Sequence, residues 1–453
     1  MSSRFDLIVR GGRIATPDGV RRADLGVSEG RIAKIAPEIS DDASAILDAT
    51  GRIVFPGILD AHVHFNEPGR TEWEGLATGS AALAAGGGAC FFDMPLNSEP
   101  PVLDAAGLLE KRDLAEEKSC LDFGLWGGLV PGNLDQFEGL RDAGAIGLKA
   151  FMCNSGIASF PAVDAAVLRE GMARAADLGL LVAVHAEDDA LAARFTAGVR
   201  GAGRTDARAY LDSRPVEVEL AAIGTALDLS QATGCALHIV HVSTPEGLGL
   251  IAAAKARGVN VSAETCSHYL LLTDRDVERL GAPAKCAPPL RDETRRRELW
   301  RGLRAGEIDT IGSDHSPAPP EMKTALDFFE IWGGIAGCQH GFELLFSAVA
   351  ATAERDLPLL AGVLARNVAR RFRIDHRKGE LAEGKDADFC LIEFGAEREI
   401  GAGELLTRHK LSPYVGRRSR ARITHTYVRG EAVWGDGKLV GPRPQGKFLR
   451  PGN

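Results

Sequence analysis

The sequence lacks a membrane segment, because no stretch of about 18 uncharged apolar residues occurs in it. Its first residues, MSSRFDLIVRGGRI, also lack the apolar core and the small-residue cleavage site of a secretory signal. Basic residues are not in excess, since 53 Lys and Arg stand against 62 Asp and Glu and give a net charge of -9. Nucleic-acid binding requires a basic face. We therefore expect neither a membrane nor a nucleic-acid partner.

Paired cysteine motifs are also missing. The eight cysteines are scattered along the chain, and none forms a Cys-x-x-Cys pair. This distribution is typical of reduced thiols and not of a disulfide framework or a zinc knuckle. With 45% hydrophobic and 25% charged residues, the composition is that of a globular protein. We expect a cytoplasmic protein with a large core.

The two ends of the chain share a strand-like pattern. Short apolar runs broken by Gly and Asp-Gly turns fill residues 1–55, and the same texture returns near the C-terminus. Each of these sheets needs a second layer to bury its apolar face. We therefore predict one small β-sandwich module, built from residues 1–55 and 379–453, around a separate domain of residues 56–378.

The middle of the chain alternates between short apolar runs and helix-like segments. Eight runs followed by helices are what a (β/α)8 TIM-type barrel requires. An open doubly wound sheet is the alternative α/β fold, but no G-x-G-x-x-G motif follows the first run, and this favours the barrel. The predicted strands lie at 58–64, 89–93, 123–127, 146–151, 180–185, 237–241, 259–264 and 309–314.

Two segments predict where helices begin. Thr71-Glu-Trp-Glu74 has the spacing of a capping box, and Gly86 to Gly88 would end the helix that it opens. Thr244 followed by Pro245 predicts the start of a second helix, since proline suits the first helical position.

Residues that bind metals follow the predicted strands. His62 and His64 flank a valine, so both imidazoles project from the same face of the first strand. The C-terminal ends of barrel strands meet at one mouth, where such enzymes have their active sites. Six side chains from five strands are therefore expected at this mouth: His62, His64, Lys149, His185, His241 and Asp314.

Imidazole and carboxylate ligands suit a borderline divalent cation such as zinc. Lys149 differs from the others, because an ammonium group cannot bind a cation. Either its amine forms an ordinary ion pair, or it is uncharged and adds carbon dioxide. The resulting carbamate would bridge two metals, which lower the pKa of a shared water.

Several segments resemble the amidohydrolase superfamily, in the cyclic amidase branch of dihydroorotases, hydantoinases and allantoinases. The resemblance implies that His62, His64, Lys149 and Asp314 bind one metal, while Lys149, His185 and His241 bind the other. It also implies two divalent ions (zinc, or cobalt, manganese or nickel), a carboxylated Lys149, a homotetramer, and Asp314 as the general base. The segments are HVHFNEPGR (62–70), DMPLNSEPP (93–101), GLKAFM (147–152), VAVHAED (182–188), LHIVHVSTPEG (237–247) and SDHSP (313–317).

The same resemblance indicates a substrate class. Dihydroorotases typically carry an arginine where Asn66 stands, and an amide cannot form the bidentate pair that a carboxylate favours. The loop that contains Arg70 and the segments around Asn97, Cys286 and Ser316 look more like allantoinases. We therefore expect a small neutral cyclic ureide such as allantoin, bound by Asn97, Cys286 and Ser316 and, as further candidates, Asn66 and Arg70.

Other functions are left open by the sequence. A hydantoinase (dihydropyrimidinase) or a dihydroorotase is the enzymatic alternative, and an amidohydrolase-like scaffold or partner subunit is the non-enzymatic one. Among the other histidines, His315 is the candidate for holding Asp314 in place. No ligand role is assigned to His238, His268, His315 or His340.

Overall fold

The computed structural model describes residues 5–441 and 446–452. Seven strands precede the central domain: β1 (Phe5–Arg10), β2 (Arg13–Thr16), β3 (Gly19–Arg22), β4 (Asp24–Ser28), β5 (Arg31–Ala36), β6 (Ala43–Asp48) and β7 (Ile53–Pro56). The central strands are β8 (Ile58–Val63), β9 (Gly88–Asp93), β10 (Asp122–Leu125), β11 (Gly127–Gly128), β12 (Leu148–Phe151), β13 (Val182–His185), β14 (Leu237–Ile239), β15 (Val261–Cys266) and β16 (Thr310–Gly312). The last strands are β17 (Phe389–Glu399), β18 (Arg418–Val428), β19 (Glu431–Gly435) and β20 (Lys438–Leu439).

Helices connect most of the central strands and cover their outer side. They are α1 (Leu76–Ala85), α2 (Ala105–Lys118), α3 (Phe137–Ala143), α4 (Ala165–Asp177), α5 (Asp189–Gly201), α6 (Ala207–Asp212), α7 (Val216–Thr233), α8 (Pro245–Ala256), α9 (Ser267–Leu271), α10 (Asp274–Leu280), α11 (Glu293–Arg304), α12 (Gly341–Val349), α13 (Ala353–Ala361) and α14 (Asn367–Arg371). Among the helices of the described residues, none has the length and apolar character needed to cross a membrane.

The central strands run parallel to one another. One arc has the order β10-β9-β8, and the other runs from β11 to β16 in sequence order. The arcs meet on one side at Trp126, the single residue between β10 and β11. On the other side Val63 forms a parallel bridge with His315. The predicted fold class, an α/β barrel with a β-sandwich module, is confirmed.

The sandwich module takes strands from both ends of the chain. One sheet has the order β5-β4-β1-β6, and the other has the order β20-β19-β18-β17-β7-β2-β3. Val27, Val54 and Phe389 share one buried apolar cluster, so N-terminal and C-terminal residues fill the same core. The domain boundaries at residues 55 and 378 stay a prediction.

The two predicted helix starts have different outcomes. Thr244 caps α8 by accepting a hydrogen bond from the Gly247 amide at 3.2 Å, as predicted. The predicted capping box at Thr71 is wrong, because α1 begins at Leu76 with Gly75 as its N-cap. Gly75 has a φ of 92°, a conformation that glycine adopts without strain. The predicted cap residue Glu74 lies outside the helix and is buried.

Candidate metal centre and substrate cavity

The first group of predicted ligands comes together at the end of β8. His62 lies on β8 and His64 just after it, and Asp314 follows β16, the neighbouring strand. The Nε2 atoms of His62 and His64 lie 3.2 and 3.4 Å from Oδ1 of Asp314. These three side chains offer ligand atoms within 4.8 Å of one another, which is a suitable spacing for one cation.

The second group lies beside the first. The ring centroid of His241 is 5.5 Å from that of His62 and 4.6 Å from that of His185. The β12–β13 register sets Phe151 opposite His185, and their rings stack at 4.6 Å. Lys149 belongs to the same strand, and its Nζ lies 5.1 Å from the centre of the Phe151 ring. The barrel therefore brings all six predicted side chains to one region.

Three of these histidines have a polar partner within the protein at one of their two ring nitrogens. His62 shares a 2.8 Å hydrogen bond between Nδ1 and Glu264, and His185 a 2.9 Å bond between Nε2 and Glu187. The Nδ1 of His64 is 3.5 Å from the carbonyl oxygen of Leu96. Such partners fix the tautomer and leave the opposite nitrogen free to bind a metal.

The electrostatics of the cluster favour neutral rings beside a charged carboxylate. Burial lowers the pKa of His62, His185 and His241, so the uncharged imidazole predominates near neutral pH. Burial alone would raise the pKa of Asp314, but the neighbouring His62 and a hydrogen bond from His64 hold this pKa below its usual range. Neutral imidazole and ionised carboxylate are the forms that bind a divalent cation.

Lys149 has no ion-pair partner among the described residues. Its side chain is fully buried, and its Nζ has no hydrogen-bond partner. Burial lowers the pKa of this amine to about 8, because an ammonium group is poorly solvated there. Of the two alternatives left by the sequence, the ordinary ion pair is absent and the uncharged amine fits the surroundings. A carbamate at this position would complete both groups of ligands.

Backbone strain also concentrates at this site. Asn66, Asn97, His241 and Asp314 have φ values of 63°, 69°, 42° and 44°. Positive φ is costly for residues with a side chain and is retained where the surrounding structure enforces it. These four residues lie just after barrel strands, at the end of the barrel where the predicted ligands meet.

A cavity of about 100 Å³ opens above these ligands. The predicted substrate residues Asn97, Cys286 and Ser316 line it, and Nδ2 of Asn97 donates to Oγ of Ser316 at 3.4 Å. The other lining residues are His62, His64, Leu96, Phe151, Ser155, His185, His241, Ala287, Asp314, Trp332, Gly333 and Gly334.

The remaining two substrate candidates do not line this cavity. Asn66 is fully buried, with its amide nitrogen 3.5 Å from the carbonyl oxygen of Pro317. Arg70 donates to the carbonyl oxygen of Asn97 at 3.0 Å and pairs with Glu99 at 3.1 Å. Arg70 thus supports the loop that carries Asn97 and does not reach the cavity.

The histidines without an assigned role differ in their distance from the metal centre, and His268 is near enough to offer a ring nitrogen within 4.8 Å of an Asp314 oxygen. His315 accepts a hydrogen bond from the Gly337 amide at 3.1 Å, and its Nε2 is 3.4 Å from Glu74. No described hydrogen bond or ion pair joins His315 to Asp314. His238 bonds Ser262 at 2.7 Å inside the barrel. His268 and His340 are buried.

Sequence reasoning missed the partners of the ligands and one wall of the cavity. Glu264 ends a predicted strand run, and Glu187 lies two residues after His185, so strand-end position was the available signal for both. Burial would raise the pKa of Glu187, but the charge of Arg214 and a hydrogen bond from His185 lower it to about 2. Trp332 lies in a loop without a motif, and no pattern in the sequence marks it.

A parallel α/β barrel that gathers histidines, an aspartate and a lysine around one cavity has the design of a barrel hydrolase. The sequence profile of the amidohydrolase family matches residues 53–433. The chain belongs to the amidohydrolase family, and the predicted class of enzyme is confirmed.

Comparison with individual proteins shows which enzymes of this family the chain is similar to. The chain is 51% identical to the allantoinase of Deinococcus radiodurans over 99% of both chains. It is 47% identical to the allantoinase of Solibacter usitatus, over 98% of this chain and 97% of the other. A solved L-hydantoinase (dihydropyrimidinase) from Arthrobacter aurescens is 34% identical, covers 98% of this chain and 99% of its own, and has a TM-score of 0.95.

Proposed function

We propose that this protein is an allantoinase, which opens the hydantoin ring of (S)-allantoin to give allantoate. The observation that carries the proposal is the cluster of four histidines, Asp314 and a buried, unpartnered Lys149 beneath a small cavity. Full-length similarity to two allantoinases supports the choice of substrate.

The donor set fits two divalent metal ions, which we propose to be zinc. His62, His64, Lys149 and Asp314 would hold one ion, and Lys149, His185 and His241 the other. Bound there, the ions would polarise the ring carbonyl and lower the pKa of a water molecule. Cobalt, manganese and nickel suit the same nitrogen and oxygen donors.

Lys149 can act as a ligand in both groups of metal-binding residues only if its amine is modified. Carbon dioxide adds to the uncharged amine, so that an N–C bond forms and one N–H proton leaves. The product is a carbamate anion with two oxygen donors. A pKa of about 8 keeps a useful fraction of the amine uncharged at neutral pH and supports this step.

Asp314 is the residue that we propose to move the proton. Its pKa lies below the usual range, so the carboxylate is ionised and able to accept. It takes a proton from the attacking water as the oxygen adds to the ring carbonyl carbon. It then delivers that proton to the ring nitrogen as the C–N bond breaks.

The cavity suits a neutral ring. In the described part of the chain its lining has no arginine or lysine, so it offers no cationic partner for the carboxylate of dihydroorotate. Asn97, Ser316 and backbone groups near Cys286 offer amide and hydroxyl partners for a ureide. The close structural similarity to an L-hydantoinase makes hydantoin hydrolysis the second candidate activity.

We also propose a cytoplasmic homotetramer. All eight cysteines are buried, and none of them forms a disulfide within the described residues, as suits a reducing compartment. The tetrameric state rests on the family resemblance of the sequence.

The experiment is a side-by-side assay of allantoin, hydantoin, dihydrouracil and dihydroorotate with purified protein of measured metal content. We expect allantoin to have the highest kcat/KM, and chelation to abolish its hydrolysis until zinc is restored. Turnover of dihydroorotate alone, or full activity after removal of the metals, would contradict the proposal.

A further inference from the structure

One wall of the cavity is formed by a loop between β16 and α12. We call residues 328–334 the wall segment; it lies outside the regular helices and strands. Trp332, Gly333 and Gly334 of this segment line the cavity. Backbone hydrogen bonds of helices and strands do not hold such a loop, so its position depends on other contacts.

Lys285 binds the wall segment with its side chain and its backbone. Its buried Nζ donates to the carbonyl oxygens of Phe328 at 2.7 Å and Ile331 at 2.5 Å. Its own carbonyl oxygen accepts from the Gly334 amide at 2.8 Å. The next residue, Cys286, lines the cavity from the other direction. Lys285 therefore joins two parts of the cavity lining.

Lys323 binds the same segment nearer to its end. Its Nζ donates to the carbonyl oxygens of Trp332 and Gly334, each at 2.8 Å. Across residues 5–441 and 446–452, neither Lys285 nor Lys323 pairs with a carboxylate at ion-pair distance. A lysine amine that is shielded from water needs hydrogen-bond partners, so each of the two lysines holds in place the carbonyl groups to which it donates.

The wall segment has little freedom to move without altering the cavity. Gly334 has a φ of 150°, and a Cβ atom there would lie 2.1 Å from the carbonyl oxygen of Ser316. The wall backbone thus packs directly on a proposed substrate residue. Trp332 also packs edge-to-face on Trp73, with ring centroids 4.9 Å apart.

We propose that Lys285 and Lys323 are positioning residues, which hold the wall segment at the cavity and so set the affinity for the cyclic substrate. They contact the segment through its carbonyl groups and do not touch the metal ligands. This inference rests on the proposed function, because it takes the cavity as the place where the ring binds.

The test compares Lys285→Met and Lys323→Met with Lys410→Met. Lys410 is a matched control, because its Nζ likewise donates to backbone carbonyls, those of Leu405 at 2.5 Å and Thr407 at 2.9 Å, away from the cavity. The rate of hydrogen exchange in the peptide that covers residues 324–334 measures how firmly the wall segment is held, and it needs no substrate. KM, kcat and metal content are measured on the same samples.

We expect both cavity variants to exchange this peptide faster and to raise KM at least about tenfold, while kcat stays within about threefold. Metal content should equal that of the unaltered protein, and Lys410→Met should change none of these quantities. Lys323 is partly exposed, so Lys323→Met provides the test if Lys285→Met fails to fold.

The inference would be overturned by unchanged exchange of the peptide in the folded variants, or by faster exchange with an unchanged KM. A fall in kcat and metal content with constant KM would point to a general structural role and would also overturn it. Failure of the proposed function appears differently, as an absence of allantoin hydrolysis by the unaltered protein. The exchange measurement still decides on the two lysines in that case.

Discussion

Lys149 and Lys378 are both buried, yet their surroundings are opposite. Nζ of Lys378 lies 2.6 Å from Asp122, 2.6 Å from Asp388 and 3.0 Å from Asp386. These carboxylates raise the pKa of Lys378 against the effect of burial. Nζ of Lys149 has no such partner, and its pKa falls to about 8.

The difference separates a lysine held in an ion-pair network from the lysine that we propose to be carboxylated. Burying an ammonium group costs several kcal/mol unless carboxylates compensate it. At Lys378 this compensation joins the barrel strand β10, which begins at Asp122, to the segment that leads into β17. At Lys149 the fold leaves the cost in place, which lowers the pKa and so raises the fraction of uncharged amine, the form that can attack carbon dioxide. The same substitution at the two positions should therefore have opposite effects.

The largest effect is expected for Lys149→Met. Loss of the amine removes the proposed bridge between the two groups of ligands, so hydrolysis should fall at least about 1000-fold, or about 4 kcal/mol in the activation barrier. Metal content should fall with it, while the melting temperature of the metal-free protein changes little because no ion pair is lost. Unchanged metal stoichiometry would count against the carbamate. Partial recovery with short carboxylates in Lys149→Ala would support it.

The second-largest loss of activity is expected for Asp314→Asn. The amide keeps the shape of the side chain but cannot accept a proton, so turnover should fall about 100- to 10,000-fold, the range of a lost general base. The metals should stay largely bound, because His62, His64 and Lys149 remain. Steady-state kinetics together with metal analysis check this. Near-normal turnover would refute the role of Asp314 as the base.

A loss of stability, and not of activity, is expected for Lys378→Met. The change leaves buried Asp388 without a cation, while Asp122 keeps Arg429 and Asp386 keeps Arg377, and it should lower the free energy of unfolding by about 3–5 kcal/mol. Urea denaturation measures it, and the folded fraction should keep its kcat. Adding Asp388→Asn should restore part of the stability, because the unpaired charge is removed. A stable but inactive Lys378→Met would remove the distinction between the two lysines.

The shared location of the six proposed ligands was predictable because it follows from local patterns, while their binding of metal stays a prediction. Alternation within β8 puts His62 and His64 on one face, and strand ends of a parallel barrel meet at one mouth. The fold class followed from the same alternation of strands and helices. His185, His241 and Asp314 were therefore found without knowledge of any long-range contact.

The supporting contacts were not predictable in this way. Glu264 meets His62 across 202 residues, and nothing local to either residue indicates the pairing. Glu74 has the spacing of a helix cap, yet its carboxylate accepts from the backbone of Arg408 at 3.1 Å, 334 residues away. Residues in the loops after strands meet such partners only when the chain is folded, because tertiary packing overrides local propensity. The lysine contacts of the wall segment arise in the same manner.

The smallest expected effect is on the pH dependence of stability, through Asp122→Asn. Burial opposes ionisation of Asp122, but the charges of Lys378 and Arg429 hold its pKa below the ordinary value. A carboxyl group whose pKa is lowered on folding stabilises the protein above its unfolded pKa of about 3.9, and this contribution is lost as the pH falls through the folded pKa. Between pH 5 and pH 3 the unaltered protein should therefore lose more stability than Asp122→Asn, because the asparagine variant has no carboxyl group to protonate at this position. Urea denaturation at both pH values measures the difference, with hydrolysis at pH 7 as the control that the mouth is undisturbed. Equal losses of stability in the two proteins would mean that Lys378 and Arg429 do not lower the pKa of Asp122. The contrast between Lys378 and Lys149 would then rest on Asp386 and Asp388 alone.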